Sequence, residues 1–88
     1  MYFVLKLKED KEKGFLVAYI EHGTYDYNEM YSSTSRQLAL NEYYKILRRI
    51  DSKSFRILEQ KENHLETYTI FECLLQFVLF PAKNENLK

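Results

Sequence analysis

The chain has 88 residues, enough for one small domain and no second core. Its 45% apolar content, two Gly and one Pro exclude a disordered tail, a collagen-like repeat and a Gly/Ser linker. Thirteen Lys+Arg balance thirteen Asp+Glu, so no overall charge calls for nucleic acid, an anionic membrane or an acidic substrate, and one cysteine excludes an internal disulfide framework and a multi-cysteine zinc site.

Tyr2–Lys8 alternates, with Phe3, Leu5 and Leu7 on one face and Tyr2, Val4, Lys6 and Lys8 on the other. This predicts a strand with one wet side. Glu9–Lys13, closed by Gly14, reads as an exposed hairpin loop. Phe15–Ile20 is apolar on both faces, which suits a strand inside a sheet. Glu21-His22-Gly23 is a turn, and Thr24–Tyr31 alternates again as a third strand. Ser32–Ser35 then breaks the pattern. Thr34 with Gln37 fits a capping box. Arg36–Ile50 comes next with helical period, and Ala39, Tyr43, Ile46, Leu47 and Ile50 share one stripe. Ser54–Gln60 and His64–Phe71 read as two more strands joined by Lys61-Glu62-Asn63.

Glu72–Phe80 is either a terminal helix, with Thr69 and Glu72 as its capping box, or a continuing strand; the helix is the favoured reading. Pro81 ends it, and residues 82–88 form a polar tail. The expected fold is therefore α+β in a single domain over residues 1–81. A mainly antiparallel sheet of about five strands (β-β-β-α-β-β) packs on one long helix, in keeping with common sheet sizes. The apolar run Ile70–Phe80 contains Glu72 and Gln76 and is too short to span a membrane. Eight of its eleven residues are apolar, so as a helix it would need cover on most sides, and a homodimer would supply it. No targeting segment is visible, which suggests a cytoplasmic protein.

Candidate chemistry is sparse. His22, His64 and Cys73 are isolated in sequence, with no spacing that pre-positions two metal ligands. No metal or other cofactor is expected. Cys73 lies among Phe71, Leu74 and Leu75, which argues for an inert thiol rather than a nucleophile. Glu21, His22 and Asp26 form the best acid–base cluster, but turns collect such residues because they are solvated. Ser32–Ser35 beside Arg36 could hold a phosphate at the helix start, yet hydroxyls there are what any helix cap needs. Catalysis is not expected.

Two surfaces stand out. Arg36–Arg56 carries six positive and two negative residues, net +4, and Lys45, Arg48, Arg49, Lys53 and Arg56 could form a basic patch for nucleic acid. Glu21–Glu29 carries three negative and no positive residues, net −3, and its tyrosines alternate with acids. Tyr25, Asp26, Tyr27, Glu29 and Tyr31 are the expected partner-binding residues, with Tyr25, Tyr27 and Tyr31 side by side on one strand face, a contact surface if that face looks outward and core if the helix covers it. Tyrosine suits such a surface because it has an apolar body and a polar tip.

The layout of the first fifty residues resembles the N-terminal domain of HicB-type antitoxins. The shared features are the hairpin Tyr2–Ile20, a third strand, and a helix opened by Thr34 with Gln37 and Leu38-Ala39-Leu40. The family's Pro- and Gly-containing loop before the third strand is missing, and the rest of the chain shows no helix-turn-helix or ribbon-helix-helix unit. The resemblance implies an antitoxin-like regulator, in which the basic patch would meet nucleic acid. Residues with AT-rich codons (Phe, Tyr, Met, Ile, Asn, Lys) far outnumber Gly, Ala, Arg and Pro, as in low-GC bacteria and their phages and plasmids. The leading expectation is a small protein that binds another protein without catalysis. A phage or mobile-element inhibitor that covers a host defence factor, in the manner of anti-CRISPR proteins, fits that profile.

Overall fold

A computed structural model describes residues 1–50 and 55–74. The elements in order are β1 (Tyr2–Asp10), β2 (Gly14–Glu21), β3 (Asn28–Ser33), α1 (Arg36–Ile50), β4 (Phe55–Glu62) and β5 (Thr67–Cys73). The strands form one five-stranded antiparallel sheet in the order β3-β2-β1-β5-β4. The helix lies against one face. It has the expected bounds and 15 residues, about four turns, so it is a helix of ordinary rather than great length.

Alternation decides which side chains meet the helix. Leu5 and Leu7 of β1, Val17 of β2, and Phe71 and Cys73 of β5 form the core with Ala39, Tyr43, Ile46 and Ile50 of α1 and Phe55 of β4. Strand β5 is buried at every second residue, with Thr67 and Thr69 completing its helix-facing row. A buried hydroxyl needs a partner. The Tyr43 phenol and the Thr69 hydroxyl supply one another, 2.5 Å apart. Phe71 stacks on Phe3 with ring centroids 5.4 Å apart and meets Phe55 edge-on.

The two hairpins flanking the middle of the sheet turn by the same device. Asp10 Oδ1 accepts the N–H groups of Glu12 and Lys13 at 2.8 and 2.9 Å. Asn63 Oδ1 accepts those of Leu65 and Glu66 at 2.9 and 2.8 Å. In each, a short side chain bonds N–H groups two and three residues on and so replaces ladder bonds that the turn cannot make. Gly14 closes the first turn with φ +92°. A Cβ there would stand 2.7 Å from the Ser33 carbonyl oxygen, so both backbone angle and space demand glycine.

Several boundaries differ from the sequence reading. Strand β3 begins at Asn28, and residues 24–27 are a loop. The helix is capped by Ser35, whose hydroxyl accepts the Leu38 N–H at 3.3 Å. Thr34 and Gln37 form no capping box; the Gln37 amide donates instead to Asn41, one turn on. Strands β4 and β5 meet at Asn63–Glu66, later than expected. Strand β5 continues through Glu72 and Cys73, so no helix opens at Thr69, whose hydroxyl is held by Tyr43. Phe71 and Cys73 lie on β5 and pack into the chain's own core, so this part of Ile70–Phe80 is strand. Residues 75–80, like Lys53 and the tail 82–88, lie outside the described residues.

A candidate protein-contact surface

The expected strip of Tyr25, Tyr27 and Tyr31 does not form as one strand face. The β2–β3 register shifts between Val17 and Ala18: Tyr31 stands opposite Val17 but Glu29 opposite Ala18. Met30 is the extra residue of this bulge. The shift turns Met30 and Tyr31 against the helix-side core, where both are partly buried. Glu29 stays on the opposite face and holds the Lys13 ammonium. That carboxylate, hydrogen-bonded to it, pushes the Lys13 pKa up. Four of the five expected contact residues thus remain on the surface, and Tyr31 leaves it.

The loop carries the rest. His22 and Gly23 turn the chain, with Gly23 at φ +96°, and the Thr24 N–H and hydroxyl both donate to the Glu21 carbonyl. This pinch at Glu21 launches the loop away from the sheet. Tyr25 is 95% exposed, which for a side chain of this size is nearly the whole ring and hydroxyl in water. Asp26 beside it is exposed. Tyr27 is 39% exposed, and its ring lies over the sheet face away from the helix, with Lys8 Nζ 4.5 Å from its centroid. A cation over an aromatic face is attracted by the ring quadrupole, so Lys8 holds Tyr27 against the sheet.

Among the described residues, α1 packs on the opposite face of the sheet from the one beneath this loop. Cross-strand partners point to one side, and the register sets out its rows. Ile20, Val4 and Ile70 form an apolar row across the three central strands, ending at Glu59. Next to it run Glu29, Ala18, Lys6, Tyr68 and Lys61. On the other side lie Tyr2, Glu72 and Arg56, and the exposed His22 ring meets Tyr2 edge-on at 6.3 Å. Tyr2 is 44% exposed. The Tyr68 phenol donates to Glu59 at 2.7 Å, and that acceptor raises its pKa. Sequence reasoning missed this row. Its trace was Phe15–Ile20, apolar on both faces, because a strand covered on only one face has no need of Ile20 on the other.

The basic patch comes apart. Lys45, Arg48 and Arg49 are exposed on α1, and Lys45 pairs with Glu42 at 3.4 Å. Arg56 lies across the sheet, on the face away from the helix, held by Glu72. The soft ligands are also apart. His22 sits where β2 ends, His64 in the turn at the opposite end of the sheet, and Cys73 is buried in a strand rather than at a helix start. Among the described residues no group of three His, Cys, Asp or Glu is placed to hold a metal ion, and no helix is long and apolar enough to cross a membrane.

Neither a protein-family model, nor a curated protein, nor a solved structure matches the chain. The likeness to HicB-type N-terminal domains therefore stays one of layout.

Proposed function

We propose that this chain is a non-catalytic protein-binding domain that covers a surface of its partner. Its contact patch is the loop of residues 24–27 with the adjoining open sheet face around Tyr2, Val4, Ile20 and Ile70. The observation that carries this reading is the nearly complete exposure of Tyr25 beside half-exposed Tyr27 and the acid between them. A tyrosine held in water gains nothing for the fold. The same ring buried in a partner removes a large apolar area from water and keeps a hydrogen-bonding tip, which is why tyrosine concentrates at binding hot spots. Exposed Asp26, between the two tyrosines, gives the loop an acidic tip that suits a basic group of a partner. A phage- or mobile-element-encoded inhibitor that acts by occluding a host factor is the form of this function that the amino-acid composition and small size favour.

The test is an affinity capture from host lysate, with calorimetry on the purified partner. Tyr25→Ala and Tyr27→Ala together are expected to weaken binding by about 30-fold or more, the scale of a hot-spot loss of roughly 2 kcal/mol. Binding that survives both changes would refute the proposed surface.

A further inference from the structure

At the far end of the sheet from the tyrosine loop, the structure opens a groove of about 390 Å³ lined by Lys6, Lys8, Glu9, Phe15, Arg36 and His64, among others. It exists because β1 outruns β5. The last β1–β5 pair is Leu7 with Thr67, while β1 runs on to Asp10. Carbonyls of β1 alternate in direction: that of Met1 accepts from Cys73 in β5, and that of Tyr2 from His22 next to β2. Counting on by twos, the N–H and C=O of Glu9 face the β5 side, past the strand's first residue, and so open on the groove.

The charges there are lopsided. Lys6 and Arg36 take part in no ion pair among the described residues. Arg36 donates one N–H to the Asn63 carbonyl at 3.2 Å, which fixes the guanidinium across the groove and leaves its other donors. Of the two acids lining the groove, Glu66 is drawn to Lys61 at 3.5 Å. Glu9 is left as an acceptor. The apolar parts of the wall are Leu7, the Phe15 ring and Leu65, set among Lys8, His64 and Thr67.

We propose that this groove binds a nucleoside monophosphate. Cationic donors on two sides suit a dianionic phosphoryl group, with Arg36 able to engage two of its oxygens at once. The Glu9 carboxylate suits sugar hydroxyls, which are donors that an isolated phosphate lacks. The apolar wall at Phe15 suits a flat base, and the volume is that of a small-ligand site. Lys8 borders both this groove and the Tyr27 ring, so the test uses Arg36 and Lys6, neither of which touches the tyrosine loop.

The test is calorimetry and amide-proton NMR at low salt with AMP and UMP, alongside adenosine, uridine and inorganic phosphate. AMP or UMP is expected to bind and to shift the Glu9, Arg36 and His64 amides, with the nucleosides and phosphate each at least about tenfold weaker. Arg36→Gln and Lys6→Gln, each checked by its melting curve, are expected to weaken nucleotide binding about 10–100-fold, the scale of a charge-assisted hydrogen bond. Since two substitutions at different walls are used, a folding defect in one leaves the other as the test. No nucleotide binding at millimolar concentration, equal binding of phosphate alone, or binding unchanged in a folded variant would each overturn the proposal.

Discussion

Tyr43 and Thr69 show how a single pair of atoms ties the helix to the sheet. Tyr43 is only 2% exposed and Thr69 not at all, and their hydroxyls bond at 2.5 Å. Burial raises the Tyr43 pKa, and the Thr69 hydrogen bond opposes that rise. Tyr43→Phe strands the Thr69 hydroxyl without removing ring volume, so equilibrium denaturation is expected to show a loss of about 1–2 kcal/mol. Gly14→Ala should cost more, about 2–3 kcal/mol, because it adds strain at a positive φ and drives a methyl into the Ser33 carbonyl. A fall in Tm on the order of 10 °C would result for a domain of this size. Asp10 adds a pH dependence. The N–H groups of Lys13 and Glu12 that bond its carboxylate hold its pKa below 3.8. A pKa lowered by folding stabilises fully above the unfolded value and less as pH falls through the folded one. Melting curves below about pH 4 should therefore drop less steeply in Asp10→Asn than in the parent. Tyr43, Tyr68 and Lys13 work in the opposite direction: folding raises all three, so their contributions are present below the ordinary values, 10.0 for the tyrosines and 10.5 for the lysine, and are lost as pH rises through the folded values.

Among the elements, the helix was the most legible. The 3.6-residue stripe placed Arg36–Ile50 at the bounds observed, because one face must be apolar and the other wet wherever a helix lies on a sheet. Its cap was misread by one residue, since Ser33, Thr34 and Ser35 are chemically equivalent candidates and only geometry separates them. Ser35→Ala should cost about 1 kcal/mol while Thr34→Ala stays near zero, a difference that paired denaturation curves would resolve. Strands β1 and β2 were legible for the same reason as the helix, by alternation. Strand β3 was not. The tyrosines at 25, 27 and 31 keep an even spacing through a loop and across a bulge, and neither feature breaks the period. A bulge adds one residue and moves every later side chain of its strand to the other face, so Tyr31 reached the core while the sequence placed it beside Tyr27. Likewise Glu72 looked like a helix opener only because its strand neighbour Arg56 is distant in sequence.

At the scale of the whole molecule, among the described residues α1 covers one face of the sheet, and the other carries the half-buried row Ile20, Val4 and Ile70 at its centre. The nearly full exposure of Tyr25 could not be read from residue types, because it depends on how the loop leaves Glu21. Apolar surface left in water marks a place where something else fits. The central claim is that the loop of residues 24–27 serves binding and not folding. The most direct measurement sets capture from host lysate beside thermal melting, for the parent chain and for Tyr25→Ala with Tyr27→Ala. The expected result is a partner retained in stoichiometric amount by the parent and lost from the double variant, with Tm changed by no more than about 3 °C, under 1 kcal/mol for this size. The same proteins retained by both chains, or a variant that melts far lower, would contradict it.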